Sequence, residues 1–294
     1  MKILLLGANG QLGTDLNRAF HDNRYEVEAL TRRDLDVRAQ DKVLAKITGS
    51  KSDVVVNTTA FHNVEECEKQ PAAAFEVNAI AAQTLAQACD RAGCSLVHFS
   101  TDFVFDGRKG APYGEEDLPH PQSVYATSKL AGEMLIAAVF ERYYVIRTCG
   151  LYGLAGSKDR GGNFVEKMLK KAAAGEPIRV VKDQVLTPTY TRDLAGAVVS
   201  LIRSGRYGLY HATNEGECSW FDFARTIFEL EKVSAQLSSV STMEFSSPVK
   251  RPSYSVLSKQ KLAGIGHRMP SWQDGLARYL RERGRKDLRG TTPS

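Results

Sequence analysis

Apolar residues in this chain gather into short unbroken runs, with longer stretches of helical period between them. Lys2-Ile3-Leu4-Leu5-Leu6 shows no polar alternation, the pattern of a strand buried on both faces of a parallel sheet. Leu12, Leu16, Ala19 and Phe20 then recur at helical spacing. Runs near Val27 to Leu30, at Val54-Val55-Val56, at Leu96-Val97-His98-Phe99 and at Tyr143-Tyr144-Val145-Ile146 predict further strands. The stretch from Pro71 to Ala92, rich in Ala and Glu, predicts a helix. Strands alternating with helices indicate an α/β chain: a doubly wound parallel sheet with helices on both faces. After about residue 150 the pattern becomes mixed, which predicts a smaller lobe. Residues 107–124 hold Gly107, Gly110, Pro112, Gly114, Pro119 and Pro121, which exclude a regular helix and suit a lid over a substrate. Residues 153–163, with four glycines, are expected to form a mobile connection.

Between the first strand and the first helix lies Gly7-Ala8-Asn9-Gly10-Gln11-Leu12-Gly13. Strand, glycine turn and helix in that order form the context a dinucleotide fingerprint requires. Gly7 allows the tight turn, Gly10 lets the backbone approach a pyrophosphate, and Gly13 lets helix and strand pack closely. The helix start offers free N–H groups and a partial positive charge to phosphate. The second strand runs into Thr31-Arg32-Arg33-Asp34-Leu35-Asp36. An acidic residue there would bind the 2′-hydroxyl of NAD, and an arginine the 2′-phosphate of NADP. With Thr31 followed by Arg32 and Arg33, NADP(H) is the preferred cofactor and NAD(H) the alternative. Asp36 is placed to contact the adenine end.

Composition changes this picture little. With 294 residues, 43% of them hydrophobic and 25% charged, the chain suits one large α/β domain or a nucleotide domain with a smaller lobe. No apolar stretch approaches the ~20 residues of a membrane span, and the N-terminus leads straight into the first strand, so no membrane or signal segment is expected and the protein is read as cytoplasmic. The net charge of +5 is concentrated at the end: Arg281 to Ser294 carry five basic and two acidic side chains, a net +3. Residues 284–294 are therefore expected to be a disordered basic tail. No basic stripe for nucleic acid remains in the body. The five cysteines are scattered and odd in number, which suits a reducing compartment and packing roles, with no metal assigned.

Ser100-Thr101-Asp102 and Tyr125-Ala126-Thr127-Ser128-Lys129 supply the chemistry. Four residues apart on a helix, Tyr125 and Lys129 share a face. A carbonyl reduced by hydride becomes an alkoxide and must gain a proton. A phenol with an ordinary pKa near 10 is a reluctant donor, but the cationic Lys129, together with an oxidised nicotinamide, favours the phenolate. Thr101, at the end of its strand, would hydrogen-bond the substrate oxygen at the sheet edge where open α/β folds bind ligands. His98 is read as a satisfied core histidine. His62, following Asn57-Thr58-Thr59-Ala60-Phe61, is a candidate neighbour of the nicotinamide.

With these motifs together, the chain resembles the extended short-chain dehydrogenase/reductases, and within them the dTDP-4-dehydrorhamnose reductases. The likeness includes Gly10-Gln11-Leu12-Gly13, Ser100 to Gly107, Pro112-Tyr113 with Glu115 and Asp117, Tyr125 to Glu133, and Gly162-Asn163-Phe164. Asp183-Gln184 with Pro188-Thr189, Gly208-Leu209-Tyr210-His211 and Arg251-Pro252 complete it. The resemblance implies a Rossmann-type domain over 1–150, joined by returning segments near 180–207 and 249–262, with 151–294 mostly a substrate lobe. It implies cofactor contacts at Gly10, Gln11 and Leu12, at Asp36 and Val37, and at Ala60, Phe61 and His62; with the glycine-turn residues Gly7, Asn9 and Gly13 and the pair Tyr125 and Lys129, these make up the expected cofactor site. It implies a catalytic set of Thr101, Tyr125 and Lys129, and substrate contacts from Thr101, Asp102, Phe103, Gly150 and Asn163.

The activity implied is NAD(P)H-dependent reduction of the C4 keto group of a nucleotide-linked 6-deoxysugar, dTDP-4-dehydro-L-rhamnose to dTDP-L-rhamnose, by a protein that could act as a homodimer. Several positions depart from the family pattern. Phe103 replaces a Tyr, Gly150 replaces a Trp, Glu66 replaces a Lys, and Thr31 stands where Asp is frequent. They leave two alternatives: an epimerase or dehydratase of the same superfamily, and a non-catalytic subunit resembling the methionine adenosyltransferase β subunit.

Overall fold

The computed structural model describes residues 1–156, 161–245 and 248–290. Its large sheet is built from β1 (Lys2–Leu6), β2 (Glu26–Leu30), β3 (Val54–Asn57), β4 (Ser95–Thr101) and β5 (Tyr143–Thr148). Between them run α1 (Gln11–Asp22), α2 (Gln40–Ser50), α3 (Val64–Lys69), α4 (Pro71–Phe75), α5 (Ala81–Ala92) and α6 (Val124–Val139). There follow β6 (Leu151–Tyr152), α7 (Phe164–Ala173), β7 (Ile178–Val181), β8 (Val185–Leu186), β9 (Thr189–Tyr190), α8 (Thr191–Ser204) and β10 (Gly208–His211). The rest comprises β11 (Cys218–Ser219), α9 (Trp220–Glu231), β12 (Leu237–Val240), α10 (Thr242–Phe245), α11 (Gln260–Ala263) and α12 (Trp272–Gly290).

The six-stranded sheet has the order β10-β5-β4-β3-β1-β2 and is parallel throughout. Its sixth strand is contributed by residues 208–211, just beyond the returning segment expected near 180–207. One face of the sheet packs on α1 and α8 through Leu12, Leu16, Phe20, Leu194, Val198 and Leu201. The other packs on α2, α5 and α6 through Val43, Ile47, Leu85, Cys89 and Ile136. Burial of both faces explains why these strands read as unbroken apolar runs. The strand order reverses between β1 and β3, a topological switch point where open α/β sheets bind ligands beyond their carboxyl ends.

A third core, centred on Tyr152, Phe223, Trp272 and Tyr279, belongs to a smaller lobe built from α7, α9, α12 and short strand pairs. Three regions differ from the sequence expectation. The helix from Pro71 to Ala92 is interrupted by a π-helical turn over Glu76–Ile80. The segment 107–124 is pinned to the C-terminal part of the chain: Tyr113 N–H donates to the Val256 carbonyl at 2.9 Å, and Ser258 N–H to the Tyr113 carbonyl at 2.7 Å. A Cβ on Gly107 would stand 2.6 Å from the Ser253 nitrogen, so that loop is held against its neighbour and is no free lid. Finally, α12 continues through Gly290, where a disordered tail from 284 was expected. The middle of the expected mobile connection, 157–160, lies outside the described residues, as do 291–294. Among the described residues no helix is long and apolar enough to cross a membrane.

Candidate active site

Gly7 turns the chain out of β1 with φ +78°, and the N–H groups of Gly7 and Ala8 both donate to the Leu30 carbonyl, at 2.9 and 3.0 Å. A Cβ on Gly13 would stand 2.2 Å from the Gly7 carbonyl oxygen and 2.9 Å from Ala8 Cα, so α1 meets the turn at a distance that only glycine permits. The first intrahelical bond of α1 runs from Thr14 N–H to the Gly10 carbonyl, and no side chain caps the helix. The N–H groups of Gln11, Leu12 and Gly13 are thus left for solvent or an anion, at the positive end of a 12-residue helix without an acidic residue in its first turn. This cradle fits a dinucleotide pyrophosphate. Asn9 is exposed at its rim. The Gln11 side chain serves the fold, its amide nitrogen donating to the Leu151 carbonyl at 3.0 Å, so its contribution to a phosphate is its backbone.

At the end of β2, Thr31 and Asp34 close a small turn: Thr31 N–H and hydroxyl donate to the Asp34 carboxylate at 2.8 and 2.7 Å. Arg32 projects beyond it, 78% exposed, with Nε 3.7 Å from Asp36, and Arg33 is exposed beside it. Asp36 is gripped by Arg38, whose Nε lies 3.0 and 3.1 Å from its two oxygens. That hydrogen bonding holds the carboxyl down at about 2. Val37 turns into the core behind the sheet, which leaves only its backbone facing outward.

Across the switch point, the segment Ala60-Phe61-His62 follows β3, all three half-buried. Asn78, from the π-helical turn, clamps it: Phe61 N–H donates to Asn78 Oδ1 at 2.9 Å, and Asn78 Nδ2 donates to the Phe61 carbonyl at 3.0 Å. The same Nδ2 reaches Ser128 Oγ at 2.9 Å, tying the loop to the helix that carries Tyr125 and Lys129. The Asn78 carbonyl would lie 2.2 Å from a Cβ at position 132, so Gly132 lets α6 sit against this turn. A π turn inside a helix is a common functional distortion.

α6 starts where Ser123 accepts from Ala126 N–H at 3.2 Å and Glu68 accepts from Val124 N–H at 2.8 Å. Glu66 faces Lys69 at 3.5 Å on the surface of α3, away from this cap. Lys129 is buried, with Nζ 3.3 Å from Nε2 of His98 on β4. Burial, partly offset by the charge of Glu133, brings the lysine down to about 8. Burial and the neighbouring Lys129 push His98 well below the ordinary histidine range. Tyr125, one turn earlier, is half-buried and stands edge-on to Phe103, ring centroids 6.1 Å apart. Behind Lys129, Glu133 accepts from Arg147 on β5, Nη2 at 2.7 Å and Nε at 3.0 and 3.2 Å, and also from the Ser100 hydroxyl.

β4 ends at Thr101, whose oxygen accepts from Phe103 N–H at 3.2 Å while its hydroxyl donates to Asp102 Oδ1 at 3.1 Å. The Asp102 side chain points inward, where Cys149 Sγ donates to Oδ2 at 2.9 Å. Burial raises this carboxyl to about 6 against the hydrogen bonds from Cys149, Ser255 and Thr101. Asp102 therefore backs Thr101, and Cys149 has a polar partner in addition to its packing.

The structure thus gathers the glycine cradle, the Ala60–His62 segment, Thr101, Tyr125 and Lys129 at the carboxyl edge of one sheet. Asn163 has a structural role. Asn163 Oδ1 caps α7 by accepting from Glu166 N–H, and Nδ2 donates to the Gly153 carbonyl and the Tyr279 hydroxyl, which uses every polar atom it has. Gly150 has φ +55°, and a Cβ there would stand 3.0 Å from Leu186 Cδ1 and 3.2 Å from Pro188 Cα. Sequence reasoning missed Asn57, Asn78, Ser128, Glu133 and Arg147. Polar residues inside or at the ends of apolar runs were the available signal.

The chain matches the family model described as the RmlD substrate binding domain over residues 1–284. It is 42% identical over 282 residues to the spore coat polysaccharide biosynthesis protein SpsK of Bacillus subtilis, covering 96% of this chain and 98% of that one. Among solved structures, a dTDP-4-dehydrorhamnose reductase from Clostridium acetobutylicum superposes with a TM-score of 0.91 at 38% identity, covering 96% of this chain and 99% of that one. A dTDP-4-dehydrorhamnose reductase from Bacillus anthracis in complex with NADP does so with a TM-score of 0.91 at 35% identity and the same coverage.

Proposed function

This chain belongs to the dTDP-4-dehydrorhamnose reductase family of NAD(P)H-dependent oxidoreductases, and from that premise we propose that it reduces the C4 keto group of a nucleotide-linked 6-deoxysugar, dTDP-4-dehydro-L-rhamnose first among them. The observation that carries the reading is Lys129: a buried lysine, one turn from Tyr125, set against the strand that ends in Thr101. Placing a lysine in such surroundings opposes stability, and general acid chemistry at the phenol gives it a purpose.

The reduced nicotinamide, when bound, supplies hydride to C4. Everything else falls to the chain. Backbone N–H groups of residues 11–13 hold the pyrophosphate. The Thr101 hydroxyl swings from Asp102 to the sugar oxygen and stabilises the charge that develops there. Tyr125 gives its proton to that oxygen as it becomes an alkoxide. Lys129 polarises the phenol and orients a ribose hydroxyl. NADP(H) is the cofactor proposed, supported by the exposed Arg32 at the end of β2 and by the NADP complex of the Bacillus anthracis relative.

Mixing the protein with NADPH and dTDP-4-dehydro-L-rhamnose, while following absorbance of the reduced cofactor, tests the reading. Oxidation in step with sugar consumption is expected. If that sugar and a panel of 4-keto dTDP-, GDP- and UDP-sugars all leave the cofactor reduced, the proposal is wrong. Repeating the assay with NADH measures the cofactor preference, which Arg32→Ala is expected to lower.

A further inference from the structure

Four polar groups form a directed chain beneath the proposed active site. Thr59 backbone N–H and hydroxyl both donate to Asn57 Oδ1, at 3.0 and 2.6 Å. A backbone N–H can only donate, so the Asn57 atom facing it is the oxygen, and the other atom is the NH₂ group. That group lies 3.1 Å from His98 Nδ1, which must therefore be the ring nitrogen that accepts. His98 is completely buried and neutral, so its one proton sits on Nε2. Nε2 in turn lies 3.3 Å from Lys129 Nζ.

The direction of this chain has a consequence for the lysine. A protonated Nε2 facing an ammonium sets donor against donor, whereas a free amine accepts the hydrogen bond with its lone pair. The other groups around the lysine do not reverse this. Tyr125 lies one turn before it on α6. Glu133 lies one turn after it, and its carboxylate is engaged by Arg147 and Ser100.

We infer that His98 is a positioning residue that donates a hydrogen bond to the Lys129 nitrogen and makes the lysine a weak holder of its proton. The inference deepens the proposed reductase chemistry and rests on it. After the Tyr125 O–H bond breaks and its proton forms the new sugar O–H, a phenolate remains. An N–H bond of the Lys129 ammonium then breaks, the Tyr125 O–H forms again, and the amine recovers a proton from solvent. A hydrogen-bond donor behind the nitrogen stabilises the amine left after that transfer. The local chain of Asn57 and His98 thereby speeds recovery of the acid for the next turnover.

Two measurements on the protein alone test this, so their failure is separable from failure of the sugar assay. In ¹⁵N spectra of the histidine rings, His98 Nδ1 is expected to carry no proton; finding the proton there overturns the inference. In protein labelled with ¹³C at lysine Cε, Lys129 is expected to titrate well below ordinary lysines. His98→Gln, which offers an amide oxygen to the ammonium, is expected to raise that midpoint by about one pH unit or more. An unmoved midpoint overturns the proposal. Asn57→Asp, whose carboxylate draws the ring proton to Nδ1, is expected to raise it as well, and serves if His98→Gln does not fold.

Discussion

Cys149 and Asp102 share a hydrogen bond of 2.9 Å, joining the residue after β5 to the turn after β4. Burial holds Asp102 at about 6 instead of the ordinary 3.8, so between those pH values the folded state keeps a proton that the unfolded chain releases, and above them the fold carries a buried, ionised carboxylate. Its destabilising effect is complete above pH 6 and disappears as pH falls toward 3.8. Asp102→Asn is therefore expected to stabilise the protein by about 2–3 kcal/mol at about pH 7.5 and by almost nothing at about pH 3.5. Urea unfolding at the two pH values measures the difference.

Glu133 and Arg147 form the buried ion pair that links α6 to β5. Removing one partner strands the other charge, so Glu133→Gln is expected to cost about 3–5 kcal/mol. A double change to Glu133→Leu with Arg147→Met should recover much of that loss. Denaturant midpoints of the two variants decide the matter, with recovery absent if the pair acts only as a local contact.

Lys129 trades stability against chemistry. Held at about 8 against an ordinary 10.5, its effect on the fold is unfavourable below pH 8 and fades as pH rises from there to 10.5. Lys129→Met should therefore gain about 3 kcal/mol at neutral pH while abolishing turnover. Tyr125→Phe should lower kcat by about 10²–10⁴ with cofactor affinity retained. Thermal melts beside single-turnover assays test both halves.

The meeting of Gly13 with the Gly7 carbonyl leaves no room for a methyl group. Gly13→Ala must push α1 away from the turn, with an expected cost of about 1–3 kcal/mol. NADPH affinity should fall by about tenfold or more, since the helix N–H groups move with it. Quenching of protein fluorescence on NADPH titration reads the loss.

How far this was legible in the sequence depends on how local each signal is. β1, the glycine turn and α1 are written in the twenty-one consecutive residues from 2 to 22, and Tyr125 and Lys129 in five, so both stood out. The fold class followed because strands buried on two faces need unbroken apolar runs. Contacts across the sheet were hidden: nothing near His98 in sequence announces Lys129, and nothing near Cys149 announces Asp102. The capping role of Asn163 had a local signal, an Asn three residues before Glu166 and ahead of an apolar stretch. The π turn at Asn78 looked like ordinary helix, since its reason lies in Phe61 and Ser128, 17 and 50 residues away.

The sixth strand comes from residues 208–211, and α8 roofs α1. Neither half of the molecule is thus a contiguous stretch of gene. A fragment ending near residue 150 would leave β5 as a raw margin and strip the cover from Leu12 and Leu16. The lobe and the sheet domain are thus interdependent, one interleaved body in which neither part keeps its covering surfaces without the other.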